Sequence, residues 1–475
     1  MNQVESGAGR ASLTRRTLVL FGLPEYAVYL ASIPVILYLP FVYSKSFGLS
    51  LTDVGLILML GRITDVVTDP LIGYLSDRTQ SRFGKRKPWI ATGMVIMTAA
   101  AYMLFNPSAE QVTNLYLLGW AMALWLGWTM INIPYYAWGA ELSDDYNERT
   151  RLTAWRQFFG FIGNVSVLFI PVVAGHLTGF GSLPSEGLTI IGGMALVGLP
   201  VCITITLWLV PEPDKYGVAH APVLAHFKLM RKNGSFWLLF FGFMLMSLGT
   251  GWGSATFMLF ATYVVGAEAQ TQAILLGYYG ANVLSLPLWV YLSQRVGKKE
   301  TWIIGGVLFV FVTPCFLLLG LGDLWWFFLI LAFYGIAGGN FAALSMSMKA
   351  DVIEIAARRS KENVSGAYIA VWSLGQKLVI AVALGTALPL LGLLGFEPNA
   401  EHTPEQLRTL AYVYVLPPWL FYAAAVAVLW RYPLSEVRLE RLREALERRA
   451  ARRANPPSPT STRERIVQPK RITRS

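Results

Sequence analysis

Twelve apolar runs of about 20 residues or more, separated by short polar segments, constrain this chain more than any motif in it. They fall near residues 17–43, 50–76, 88–106, 112–140, 152–176 and 187–210, and again near 236–265, 270–293, 301–320, 324–348, 366–391 and 409–430. Hydrocarbon offers no partners for a backbone N–H or C=O, so a segment of this length spans a bilayer as a helix that pairs its own backbone. Of the 475 residues 55% are hydrophobic and only 14% charged, far below the roughly 25% of a soluble domain. The expected fold is therefore an all-α polytopic membrane protein of twelve transmembrane helices.

The basic residues orient those helices. Lys45 and Arg408 alone fall in loops on one side; Arg62, Arg156 and Lys377 lie within spans, and the remaining 34 of the 39 Lys and Arg sit on the other side. Cytoplasmic loops carry such an excess, so both termini are predicted inside, in the plasma membrane (the inner membrane of a Gram-negative cell). The net charge of +11 thus reflects loops and a basic tail, with 13 Lys and Arg from Arg431 onward. That argues against a nucleic-acid surface and for contact with anionic lipid head groups. The expected organisation is a cytoplasmic amino terminus (1–16), a six-helix bundle (17–210), a cytoplasmic linker (211–235), a second bundle (236–430) and a basic tail (431–475) that is helical at first and disordered beyond. No cleavable signal peptide is evident, since the first apolar run is too long for one. Cys202 and Cys315 form no disulfide framework, and His176, His220, His226 and His402 have no metal-ligand spacing. Neither a cofactor nor an enzymatic activity is expected, because no nucleophile, acid–base or metal pattern of a catalytic family appears.

The stretch from Arg62 to Ile90, RITDVVTDPLIGYLSDRTQSRFGKRKPWI, puts charge where it is costly. Arg62, Asp65 and Asp69 are spaced i, i+3 and i+7, so a helix presents them on one face. An aspartate at bilayer depth costs several kcal/mol, about 2.5–3.5 on insertion scales, which makes two of them a functional expectation. Carboxylate oxygens suit Na⁺ or Li⁺, and either acid could instead carry a proton. Two carboxylates so close are not expected to stay ionised without a cation. The plain alternative is a structural ion pair with Arg62, although one arginine cannot neutralise two acids.

An internal repeat points to duplicated halves. LIGYLSDR (71–78) returns as LWVYLSQR (288–295); Gly84-Lys85 and Trp89-Ile90 return as Gly297-Lys298 and Trp302-Ile303. Carriers built this way place their site between the halves. The 217-residue offset of the first pair sets Asp65 on Asn282 and Asp69 on Leu286, so only the first half carries the two acids.

The run DVVTDPLIGYLSDRTQSRFGKRKPWI resembles the second-helix and loop signature of the glycoside–pentoside–hexuronide:cation symporters of the major facilitator superfamily, which include the melibiose permeases. MINIPYYAW in span four, TAWRQFF in span five and a lone lysine in span eleven extend the likeness over roughly 17–430. The resemblance implies two pseudosymmetric six-helix bundles, alternating access, and cotransport of a glycoside-like solute with Na⁺, Li⁺ or H⁺ by a monomer. It sets Asp65, Asp69 and Thr129 on cation-binding positions. Asn132 replaces an aspartate that melibiose permeases share between cation and sugar, which shifts expectation toward H⁺. Tyr136 stands for a tryptophan near the sugar, and Arg156 and Lys377 match a sugar-site arginine and a span-eleven lysine. The sugar-binding aspartate of span one has no clear counterpart; Tyr29 takes its place, with Glu25 a turn earlier. This departure puts melibiose itself in doubt as the solute.

Other readings stay open at these residues. Thr129, Asn132 and Tyr136, spaced i, i+3 and i+7 around Pro134, are either ligands or interhelical hydrogen-bond glue. Arg156, about one turn into its predicted span, could snorkel to the surface, whereas Lys377 is too deep and should pair with a carboxylate across the halves when the cavity is empty. Among many aromatics, Trp128 and Trp372 are the sugar-stacking candidates. Asp77, Arg78, Gly84, Lys85 and Arg86, with Arg295 from the repeat, are expected to form a cytoplasmic latch. An amphiphile carrier is the alternative within transport, since a eukaryotic branch with the same signature moves lysolipids; a receptor or scaffold is the alternative outside it.

Overall fold

The chain was described from a computed structural model covering residues 13–433, apart from 144, 182, 213–229, 232 and 361–364. The remainder of the amino terminus, most of the linker (with His220 and His226) and the tail from 434 lie outside the described residues. Helices account for nearly all the rest: α1 (Arg15–Leu37), α2 (Leu39–Lys45), α3 (Leu51–Ile63), α4 (Asp65–Arg78), α5 (Lys87–Phe105), α6 (Asn114–Glu141), α7 (Tyr146–Thr178) and α8 (Pro184–Leu209), then α9 (Gly234–Leu259), α10 (Thr271–Val296), α11 (Lys298–Val312), α12 (Leu324–Ser360), α13 (Ser365–Leu393) and α14 (Pro404–Trp430). Among the described residues, eleven helices are long and apolar enough to cross a membrane. The remaining predicted span, the second, near 50–76, is present as α3 and α4, which join at Thr64 with helical backbone angles.

Two expectations need correction. The seventh helix starts at Tyr146, so Arg156 lies nearly three turns inside it and is largely buried rather than reaching for the surface. The helix of the tenth span does not stop near 348: α12 continues to Ser360, and Lys349, counted above among loop charges, lies on it. Both errors share a cause, because the helical backbone continues through polar residues that hydropathy reads as loop.

Large side chains such as Trp208 and Trp325, 83% and 85% exposed, cover the outside, as a lipid-facing surface requires. Inside, glycines set how closely helices approach. α1 packs on α7 and α8, and α5 on α6 and α8; in the other half α9 packs on α13 and α14, and α10 on α12. Gly93 and Gly127 meet where α5 crosses α6: a Cβ on Gly127 would stand 2.7 Å from Met97 N and 3.0 Å from Gly93 O. Lipid tails compete for apolar contact as well as any neighbouring helix does, so such small-residue approaches carry much of the association.

The halves join along α3 and α13, which run antiparallel. Gly55 lies against Leu384 and Pro389, Met59 against Gly385 and Thr52 against Gly392. At the Lys45 end, Lys45 pairs with Glu268 at 2.5 Å and Asn399 Nδ2 donates to Ser44 O at 3.2 Å. Further along the same register Lys377 meets Asp69, and past that point Leu71 and Tyr74 of α4 and Ile369 and Leu374 of α13 are exposed.

Replacing Gly127 by Val should therefore wedge α5 from α6. The variant is expected to lose about 1–3 kcal/mol by overpacking, read as a lower melting temperature in detergent, and unchanged melting would show that the crossing has slack.

Candidate functional site

The site is built where α3 passes into α4 at Thr64, whose backbone angles stay helical. Thr64 Oγ1 donates to Gly61 O at 2.7 Å, closing the last turn of α3, and Pro70 removes a backbone donor from α4. Arg62 and Asp65, about one helical turn apart, meet there: Arg62 Nη1 donates to Asp65 Oδ2 at 3.0 Å. Arg62 is held from behind by aromatic faces, with its guanidinium carbon 3.7 Å from the Trp125 ring centre and 5.3 Å from that of Trp128.

Lys377 arrives from the other half. Its Nζ lies 2.5 Å from Asp69 Oδ2 and 3.3 Å from Asp65 Oδ2, and 4.5 Å from the Trp128 ring centre. Asp65 is wholly buried, Lys377 9% and Asp69 22% exposed. Thr129 Oγ1 stands 3.0 Å from Asp69 Oδ1 and 3.5 Å from Asp65 Oδ1. Two carboxylates, one guanidinium and one ammonium thus balance to zero. The ammonium supplies the positive charge that a bound ion or a proton was expected to bring. Any cation that used these oxygens would have to displace it.

A second cluster lies within the first half. Glu25 Oε1 is 3.8 Å from Arg156 Nη2 and 3.3 Å from the Tyr136 hydroxyl, and the Arg156 guanidinium lies 3.9 Å over the Tyr136 ring. Tyr29 and Glu25 both rest on Gly160. Glu25 Oε2 and Arg156 Nε are buried without a hydrogen-bond partner among the described residues, which leaves this pair under-satisfied. α6 carries both clusters: Thr129 serves the first and Tyr136 the second, about 10 Å apart by helical rise.

The remaining candidates distribute as follows. Trp128 sits between the two cations of the first cluster rather than beside Glu25. Asn132 Nδ2 turns back to Trp128 O at 3.0 Å, and its Oδ1 has no partner among the described residues. Trp372 is buried in a second-half aromatic group with Phe236, Phe240 and Phe243, away from both clusters.

The loop after α4 forms a third assembly. Arg86 bonds Asp77 Oδ1 at 2.5 Å, Ser76 Oγ at 3.0 Å and Glu141 Oε1 at 2.7 Å. Burial works against its charge, but the hydrogen bond and charge of Glu141, then those of Asp77, more than offset that and raise its pKa. The backbone N–H groups of Lys85 and Arg86 donate to Glu212 Oε1 at 2.7 and 2.9 Å. Gly84 has φ +95°, and a Cβ there would run into the Glu212 carboxylate. Lys87 Nζ donates to Leu207 O and Val210 O at the end of α8. Arg78 lies 4.2 Å over Tyr74, and Arg295 is brought only to Tyr291, at 5.3 Å, not to this network. Sequence reading missed Glu141 and Glu212; their signal was position, as acids closing spans that end beside a basic loop.

Residues 20–436 match the family described as MFS/sugar transport protein. A glucuronide carrier protein homolog of Escherichia coli (strain K12) is 24% identical over 447 residues, which cover 90% of this chain and 95% of that protein. The human sodium-dependent lysophosphatidylcholine symporter 1 is 23% identical over 442 residues, 85% of this chain and 80% of the symporter. The crystal structure of the nucleoside transporter NupG has the same fold, with a TM-score of 0.60 at 16% identity, covering 88% of this chain and 99% of that one.

The charge balance at Lys377 predicts a non-additive pattern. Asp69→Asn leaves a net positive cluster and Lys377→Met a net negative one, each expected to cost a few kcal/mol, on the order of 3–5. The double variant restores neutrality and should melt above either single variant; additive losses would mean the two groups are not coupled.

Proposed function

The chain belongs to the MFS/sugar transport protein family, and from that premise we propose a cation-coupled symporter of a glycoside-like solute that works by alternating access. The observation that carries this reading is the buried Asp65–Asp69–Lys377 cluster, in which an ammonium from one half occupies carboxylates of the other. Binding of H⁺ or Na⁺ at Asp65 and Asp69, with Thr129 and Asn132 alongside, releases Lys377 and so unlocks α13 from α4. Ion and solute then raise each other's affinity by linkage. Glu25, Tyr29, Tyr136 and Arg156 form the solute's polar contacts, and Trp128 and Trp372 its aromatic ones. The coupling ion is the only cofactor-like partner.

Residues 17–210 and 236–430 are the two moving bundles in this proposal, joined by 211–235, with both termini and the Arg86 network on the cytoplasmic side of the plasma membrane. The halves zip from the Lys45 end as far as Lys377, which supports a state open toward the cytoplasm. The Arg86 network holds the end of α8, and the linker that begins there, against α5, and so biases which side is open. The carrier is read as a monomer in contact with anionic lipid. Likeness to the human symporter keeps the amphiphile alternative in play, and competition of uptake by glycosides separates the two readings.

Asp65→Asn and Asp69→Asn are each expected to abolish concentrative uptake in proteoliposomes with Na⁺ or pH gradients imposed, while the protein stays folded. Wild-type accumulation by either variant would remove the cation assignment.

A further inference from the structure

Beside Trp372 the second half holds a pocket with a lysine, Lys349, to which the proposed function gives no role. α9 contributes Phe243, α12 contributes Phe341, Ser345 and Lys349, and α13 contributes Trp372 and Gln376, around a cavity of about 120 Å³. Phe243 stacks on Phe341 at 4.6 Å and lies 4.7 Å from Trp372, so the walls are aromatic faces fixed against one another. Lys349 Nζ lies 5.3 Å over the Trp372 ring, and among the described residues no carboxylate is paired with it.

The repeat gives this pocket its meaning. At the 213-residue offset that aligns Trp89-Ile90 with Trp302-Ile303, Lys349 falls on Tyr136, and Trp372 lies within a turn of the place of Arg156. In the first half a cation on α7 covers an aromatic ring on α6. In the second, a cation on α12 covers an aromatic ring on α13. The pair is transposed, with one difference. Glu25 of α1 balances Arg156, whereas the side chains that α9 turns toward α13 are Phe240, Phe243 and Met244. An ammonium that lines an aromatic pocket with no acid beside it leaves its charge free to meet an anionic group. Gln376, which borders the pocket, precedes Lys377 in the chain.

We propose that this pocket is an anion-recognising subsite: Lys349 binds a carboxylate or phosphate carried by the solute, while Trp372 and Phe341 face its ring. The cavity takes the anionic substituent of the solute and the ring that carries it. The proposal rests on the glycoside reading and narrows it to charged glycosides.

The test is binding to the full-length detergent-purified protein by calorimetry, which needs no ion-driven flux. The probes are 4-nitrophenyl β-D-glucuronide, the matching neutral β-D-glucoside, and its 6-phosphate. Wild-type protein should prefer one or both anionic probes; the carboxylate and phosphate arms identify which group is read. Lys349→Met should weaken the preferred probe about 10- to 100-fold, the worth of a charged hydrogen bond, and leave the glucoside within about twofold by the same scale. Lys349→Arg should retain most of the preference, which a merely structural role would not predict. Wild-type protein that binds all three alike, or a preference that survives Lys349→Met, overturns the subsite and leaves the glycoside reading standing. Protein that binds none of the three overturns both.

Discussion

An ammonium from the second half, seated between two carboxylates of the first, is the interaction on which the arrangement of this molecule turns. Asp65 is fully buried and Asp69 largely so, and neither could remain charged at that depth with Arg62 alone. Lys377 completes the balance, and the contact lies where the zipped part of the α3–α13 interface ends. Satisfying the charge and holding the halves together are therefore one event. On the proposed function, this makes coupling a matter of competition. An ion that takes the carboxylates removes the tie between the halves, and a ligand that leaves the ammonium in place does not.

The first half is built to let such a cluster exist. The backbone keeps helical angles through Thr64, so Arg62, Asp65 and Asp69 share one face, and both acids meet Thr129 of α6 and Lys377 of α13 together. α6 runs behind both clusters as a common support, with Thr129 at one and Tyr136 at the other. Its close crossing with α5 at Gly93 and Gly127 fixes its position.

Much of this was legible in the sequence, for identifiable reasons. Membrane spans announce themselves by length and hydropathy, and ions at bilayer depth by their cost, so the helices and the importance of Arg62, Asp65, Asp69 and Lys377 could be read directly. Helix ends could not: α7 and α12 continue through polar residues that look like loop, which set Arg156 too near a helix end and Lys349 off its helix. Partner choice was hidden in part. Trp128 was expected at the solute, and the structure sets it between Arg62 and Lys377 at the carboxylates, whereas the pairing of Lys377 with a carboxylate across the halves was expected. The sequence carries each residue's chemistry, but which face meets which depends on how two halves of nearly the same ancestry dock.

The docking divides charge unequally. Glu25, Asp65 and Asp69 come from the first half, while the second half turns Lys349 and Lys377 inward. On the proposed scheme, one monovalent cation that replaces Lys377 at the aspartates adds one positive charge to the loaded carrier. The membrane potential would then act on the loaded step with about 2.3 kcal/mol per charge per 100 mV. A solute whose anionic group sits on Lys349 cancels that added charge, so the loaded and empty carriers move with the same net charge. For such a solute the chemical gradient of the ion, rather than the potential, is what remains to drive accumulation. The transposed lysine in the second half therefore bears on the energetics of the whole cycle as well as on which solute fits.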